Sequence, residues 1–182
     1  MLTRQHVPLR FIATFVMIFV LVLANANFAS AQDEKRSSAF ADVVKGVVFD
    51  PTTYAPALIG YDATMRDWNT SQPFFRNGFV EHNQRFTVTG QPDDTALNYM
   101  VGRNQIFKDA VTAFGVTAAQ NATSRLVERA LLQKYPNHRK VVKSIGWIQR
   151  ASIASLMSYH LAAPHYRQAQ INAQHAAELG LR

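Results

Sequence analysis

The chain has 182 residues, no cysteine and a formal net charge of +7. Without cysteine it has no disulfide framework, thiolate metal site, thiol nucleophile, covalent c-type haem or lipoprotein anchor. Packing alone must hold the fold together.

Residues 1–31 read as a cleavable secretory signal peptide. Arg4, His6 and Arg10, with no acid among them, form a basic n-region, and residues 11–24 give an apolar run broken only by Thr14. Ala29-Ser30-Ala31 then supplies the small residues that a signal peptidase accepts. The rival reading is an uncleaved anchor, because no Asp, Glu, Lys or Arg lies between Arg10 and Asp33. Cleavage before Gln32 leaves residues 32–182 as a single helical domain, exported to the periplasm or the extracellular space of a bacterium. No twin arginine precedes the apolar run, which points to export of the unfolded chain.

Ser37 or Ser38 can cap a first helix in which Phe40, Val43, Val44, Val47 and Val48 recur at helical spacing, and Asp50-Pro51 stops it. In the next helix, capped by Thr52 or Thr53 with Pro56 in its first turn, Tyr54, Leu58, Tyr61, Met65 and Trp68 follow steps of 4, 3, 4 and 3. At 3.6 residues per turn that is one stripe, read as core. Asp62 and Arg66 sit opposite it as an i, i+4 ion pair and are candidate binding residues.

Residues 71–94 are expected to be irregular, punctuated by Pro73, Asn77-Gly78, Gly90 and Pro92, with a short strand at residues 85–89. Long connections often carry function, and Phe74, Phe75, Phe79 and Phe86 should hold this one against the domain. Its Glu81 and His82 are therefore candidate site residues, as an acid–base pair or as metal ligands. Neighbours on extended chain point to opposite faces, so the two are not expected to share one ion.

Asp93-Asp94 caps a third expected helix, carried by Leu97, Met100, Phe107, Val111 and Phe114 to about Gly115 and bent at Gly102. A fourth covers residues 122–135 and ends at Pro136. A fifth spans residues 139–163 with Val142, Ile145, Ile148, Ser152, Leu156 and Tyr159 inward and Lys140, Lys143 and Arg150 outside the core. Pro164 closes it. A last helix over residues 165–179 carries a polar stripe of His165, Gln168, Asn172 and His175. The fold class is therefore mainly α, an irregular bundle of about five to six helices, with small residues such as Ala151, Ala154, Ser155 and Ser158 permitting close helix contact.

The chain contains no Gly-x-Ser-x-Gly elbow, His-Glu-x-x-His pair, phosphate-cradling glycine loop or Ser-x-x-Lys motif. No cofactor and no dedicated metal site is implied. The expectation is a non-enzymatic binding or structural component of the bacterial envelope; the alternative is a small hydrolase or metal-dependent enzyme built on Asp62, Glu81, His82 and His160. Charge suggests the partners. From Arg125 onward nine basic residues stand against Glu128 and Glu178, whereas residues 32–124 carry eight basic and ten acidic. Lys140, Lys143 and Arg150 thus offer a footprint for an envelope protein or an anionic membrane surface. Nucleic acid is a poor partner for an exported chain. No transmembrane span is expected after cleavage, since the longest uncharged stretch, residues 151–166, contains three serines, two histidines and Pro164.

Overall fold

A computed structural model describes residues 33–181, so the expected signal peptide and its cleavage site lie outside the described residues. The chain divides into two units, residues 1–46 and 47–182. Helix α1, Asp33–Val48, supplies the described part of the first. The second is built on three longer helices: α2, Pro51–Arg76; α3, Tyr99–Lys134; and α4, Arg139–Glu178. The mainly α class is as expected, with four α-helices among the described residues in place of five to six. Among the described residues there is no strand, and none of the helices is long and apolar enough to cross a membrane.

The helix boundaries moved for local reasons. Asp50, not Thr52 or Thr53, caps α2: its carboxylate accepts the Thr52 N–H at 3.1 Å, and Pro51, which lacks an N–H, takes the first helical position. The helix then runs through Pro73 to Arg76, so the irregular connection is residues 77–98 rather than 71–94. Asn98, not Asp93-Asp94, caps α3 by accepting the Met100 N–H at 3.0 Å, while Asp93 takes a left-handed φ of 61°. The two helices expected over residues 93–135 are one, because Ala118, Ala119 and Ala122 carry the helix past Gly115. Likewise α4 continues through Pro164. The strand expected at residues 85–89 is a single 3-10 turn, Gln84–Phe86, beside two isolated antiparallel bridges, Glu81 to Asp94 and Thr87 to Ala96.

Packing inverts the expected faces of α4. This helix packs most extensively on α2, and it buries Gly146, Arg150, Ala154, Ser158 and Ala162, at strict four-residue steps. Ile145, Ile148, Ser152, Leu156 and Tyr159, expected inward, face solvent. The cause lies in what the cap of α2 and the body of α3 present to the helix: Asp50, Ser124 and Glu128, which bond to Gln149 and Arg150. Arg150, expected outside the core, is 4% exposed. Its Nε donates to Asp50 at 3.1 Å and its Nη1 to Glu128 at 2.9 Å, while Arg125 reaches the same Asp50 oxygen at 2.8 Å. Two guanidinium groups thus neutralise two carboxylates where all three helices meet. Burial would raise the Asp50 pKa, but hydrogen bonds from Thr52 and Arg125 outweigh it and hold the carboxyl below its ordinary value. Beside this cluster Asn121 donates to Thr52 at 2.9 Å and to Thr53 at 2.8 Å, while its buried Oδ1 accepts no hydrogen bond.

The apolar core is small and sits toward the other end of α2. Trp68, Phe86 and Ile106 are buried, with Tyr61, Met65, Phe75 and Leu97 packed against them. The aromatic stripe is therefore core at Tyr61, Met65 and Trp68, whereas Leu58 is exposed. Gly102 is held by packing. A Cβ there would stand 2.2 Å from the Trp68 ring, so only glycine lets α3 pass beneath the indole.

Candidate functional site

Thr64, Asp67 and Ser71 step by three and four along α2, and His165, Gln168 and Asn172 do the same along α4, so each helix carries a polar stripe. The two stripes meet. His165 Nδ1 lies 2.7 Å from one Asp67 carboxylate oxygen, and Asn172 donates to the other at 3.2 Å and to the Ser71 hydroxyl at 2.9 Å. Gln168 in turn donates to the Asn172 carbonyl at 2.8 Å, fixing the orientation of that amide. These bonds form one wall of a cleft of about 410 Å³.

The connection after α2 forms the other wall. Its bridge to Asp94, with Glu81 N–H donating to the Asp94 carbonyl at 2.8 Å, folds the chain back on itself and holds Glu81 over the cleft. Leu97 N–H donates to the Phe86 carbonyl at 2.7 Å, tying the far end of the connection to the core. The floor is aromatic: the Trp68 ring lies 5.5 Å from Phe75 and 5.3 Å from Phe86, and Phe79 stands edge-on to Phe74 at 5.6 Å.

Although the chain as a whole is basic, no Lys or Arg lines this cleft, and its carboxylates are Asp67 and Glu81. Burial pushes the Glu81 pKa up, the Asn83 N–H bond at 2.6 Å opposes that rise, and the charge of Asp67 adds to it. A site with two carboxylates and no fixed cation favours a positively charged or hydrogen-bond-donating guest. His165, oriented through Nδ1 by Asp67, leaves its Nε2 for a second interaction.

The sequence candidates divide among four places. Glu81 and His82 line the cleft, with Glu81 bonded to Asn83 N–H and His82 paired with Asp93, so they do not converge on one ion. Asp62 and Arg66 form their i, i+4 pair at 2.8 Å on the exposed side of α2, where the Tyr166 hydroxyl also donates to Asp62. Lys140 and Lys143 border a separate shallow hollow at the start of α4, and Arg150 belongs to the buried ion cluster. His160 packs edge-on against Tyr159 and does not line the cleft, so the four-residue set proposed for an enzyme is not assembled. Among the described residues no group of three or more His, Asp or Glu side chains is placed to hold a metal ion. Sequence reasoning missed Asp67, whose signal was its position on a polar stripe that also flanks Trp68. Compared with known proteins, the chain matches no family model, no curated protein and no solved structure.

Proposed function

We propose that this chain is an exported, non-enzymatic binding protein of the bacterial envelope, and that its cleft takes a small organic cation with an apolar body. The observation that carries this reading is the pairing of two carboxylates, Asp67 and Glu81, with an aromatic floor in a cleft without Lys or Arg. An ammonium group near Asp67 and Glu81 would gain two counter-ions, and its apolar body would lie on phenylalanine faces, where cation–π attraction adds to burial. A guest cation would also relieve the repulsion between the carboxylates. The basic C-terminal third would face an envelope protein or an anionic membrane surface.

Titration calorimetry with 2-phenylethylamine as probe tests this. Binding is expected to weaken in Asp67→Asn and in Glu81→Gln, and to strengthen as pH rises through the Glu81 pKa. Equal affinity for phenylacetate, or no effect of either substitution, would refute a cation site. One observation favours a second reading: the Asp67–His165 pair at 2.7 Å is the arrangement that lets a histidine act as general base in hydrolysis. Turnover of a nitrophenyl ester that is lost in His165→Gln would select the hydrolase over the binding protein.

A further inference from the structure

The amphipathic face of α4 points away from the bundle, and nothing in the described chain covers it. At 100° per residue Val141, Ile145, Ile148, Ser152 and Tyr159 fall within about 60° of one another. Apart from Ser152 they are large, and each is more than half exposed: Val141 56%, Ile145 60%, Ile148 55% and Tyr159 67%. Lys140, Lys143 and Trp147 form a flank about 60° wide whose nearer edge lies about 80° from the seam, on the side of Ile148. Trp147 is 58% exposed. Contiguous apolar exposure of this kind marks an interaction surface rather than ordinary scatter.

The charge around the seam identifies what covers it. No Asp or Glu occurs between Glu128 and Glu178, a stretch that includes almost all of α4, while Arg139, Lys140 and Lys143 cluster at its start. A second copy pairing along this helix would bring only the same basic charges. An acidic surface that also accepts apolar side chains satisfies both halves of the pattern: lysines reach phosphate while Trp147 and Ile148 enter the acyl boundary.

We propose that the N-terminal half of α4 docks on an anionic lipid bilayer, Val141, Trp147 and Ile148 entering its interface and Arg139, Lys140 and Lys143 meeting its headgroups. This rests on the envelope reading above, but it uses residues remote from the cleft. Lys140 and Lys143 act here without Arg150, whose charge is spent on Asp50 and Glu128.

The chain carries two tryptophans, and the other one, Trp68, is buried, so lipid contact reports on Trp147. The full chain is mixed with vesicles of phosphatidylcholine alone or with phosphatidylglycerol added, using acyl-brominated lipid as quencher. With the anionic vesicles Trp147 emission is expected to shift to the blue and to be quenched by bromine, and both effects should vanish in Trp147→Phe. Lys140→Gln with Lys143→Gln should weaken binding on the order of thirtyfold. The double variant should keep its affinity for 2-phenylethylamine, so failure at the membrane and failure in the cleft are read separately. Trp147 emission unchanged by anionic vesicles would overturn the proposal. So would equal quenching by phosphatidylcholine alone, or a blue shift that grows with protein concentration in the absence of lipid, which would identify a second copy as the occupant.

Discussion

A methyl group added at Gly102 would meet the Trp68 ring at 2.2 Å. Gly102→Ala should therefore lower stability by about 1–3 kcal/mol, as overpacking does, measured by urea unfolding; a neutral result would mean that α3 can shift away from the indole. The pH response of Glu81 is a second consequence at this scale. Its folded pKa is raised, so its contribution is fully present below the unfolded carboxyl pKa of about 4.3 and is lost as pH rises through the folded value. Glu81→Gln should match wild type near pH 4 and exceed it in thermal stability at pH 7. A variant less stable than wild type at pH 7 would contradict the assigned burial. Trp68 was legible as core because a large apolar residue on a helical stripe has few other uses. Gly102 and Arg150 were not: a glycine within a helix reads as flexibility, and an arginine reads as solvent-facing unless its two carboxylate partners, far away in sequence, are known.

At the scale of the helices, period-3.6 patterning announced the class but not the ends. Gly115 and Pro164 look like stops in isolation, yet both lie inside helices, the first carried on by the alanines after it and the second by tertiary contacts. Around Pro164 those contacts are Ala162 and Ala169 buried in the bundle and His165 bonded to Asp67. Since an interior proline costs a helix about 3 kcal/mol, Pro164→Ala should raise stability by about 1–3 kcal/mol in chemical denaturation. Unchanged or lower stability would show that the ring's distortion is needed to seat His165. The orientation of α4 was misread for a related reason. Hydropathy places the isoleucine seam inward, but the helix is held by small side chains and by charge matched to two neighbours, and such matching leaves no periodic trace in one sequence. The cleft was half legible: the connection with Glu81 and the stripe of His165, Gln168 and Asn172 stood out, while Asp67, which joins them, did not.

At the scale of the whole molecule, the ion cluster makes the fold sensitive to acid. The depressed Asp50 pKa contributes stability that is present above the unfolded value of about 3.9 and is lost as pH falls through the folded one. Asp50→Asn should flatten that acid limb, measured by circular dichroism melts between pH 2 and 6, and a limb that persists would assign it to other carboxylates. Arg150→Met removes one partner from Asp50 and Glu128 and should cost about 3–5 kcal/mol; a neutral effect would show that Arg125 alone suffices. The same bonds govern the order of assembly. Asp50 waits for a residue 100 positions later, and Asp67 for partners 98 and 105 positions later. Non-local pairings of this reach form late, after the cost of closing long loops has been met. A chain emerging from its amino end therefore holds Asp50 without Arg150, and an open cleft, until α4 is free, and a chain ended at residue 160 should fail to give a cooperative melt. Under the proposed export, vectorial passage through a narrow channel would meet little folded resistance, because α4, which locks the bundle, follows α2 and α3.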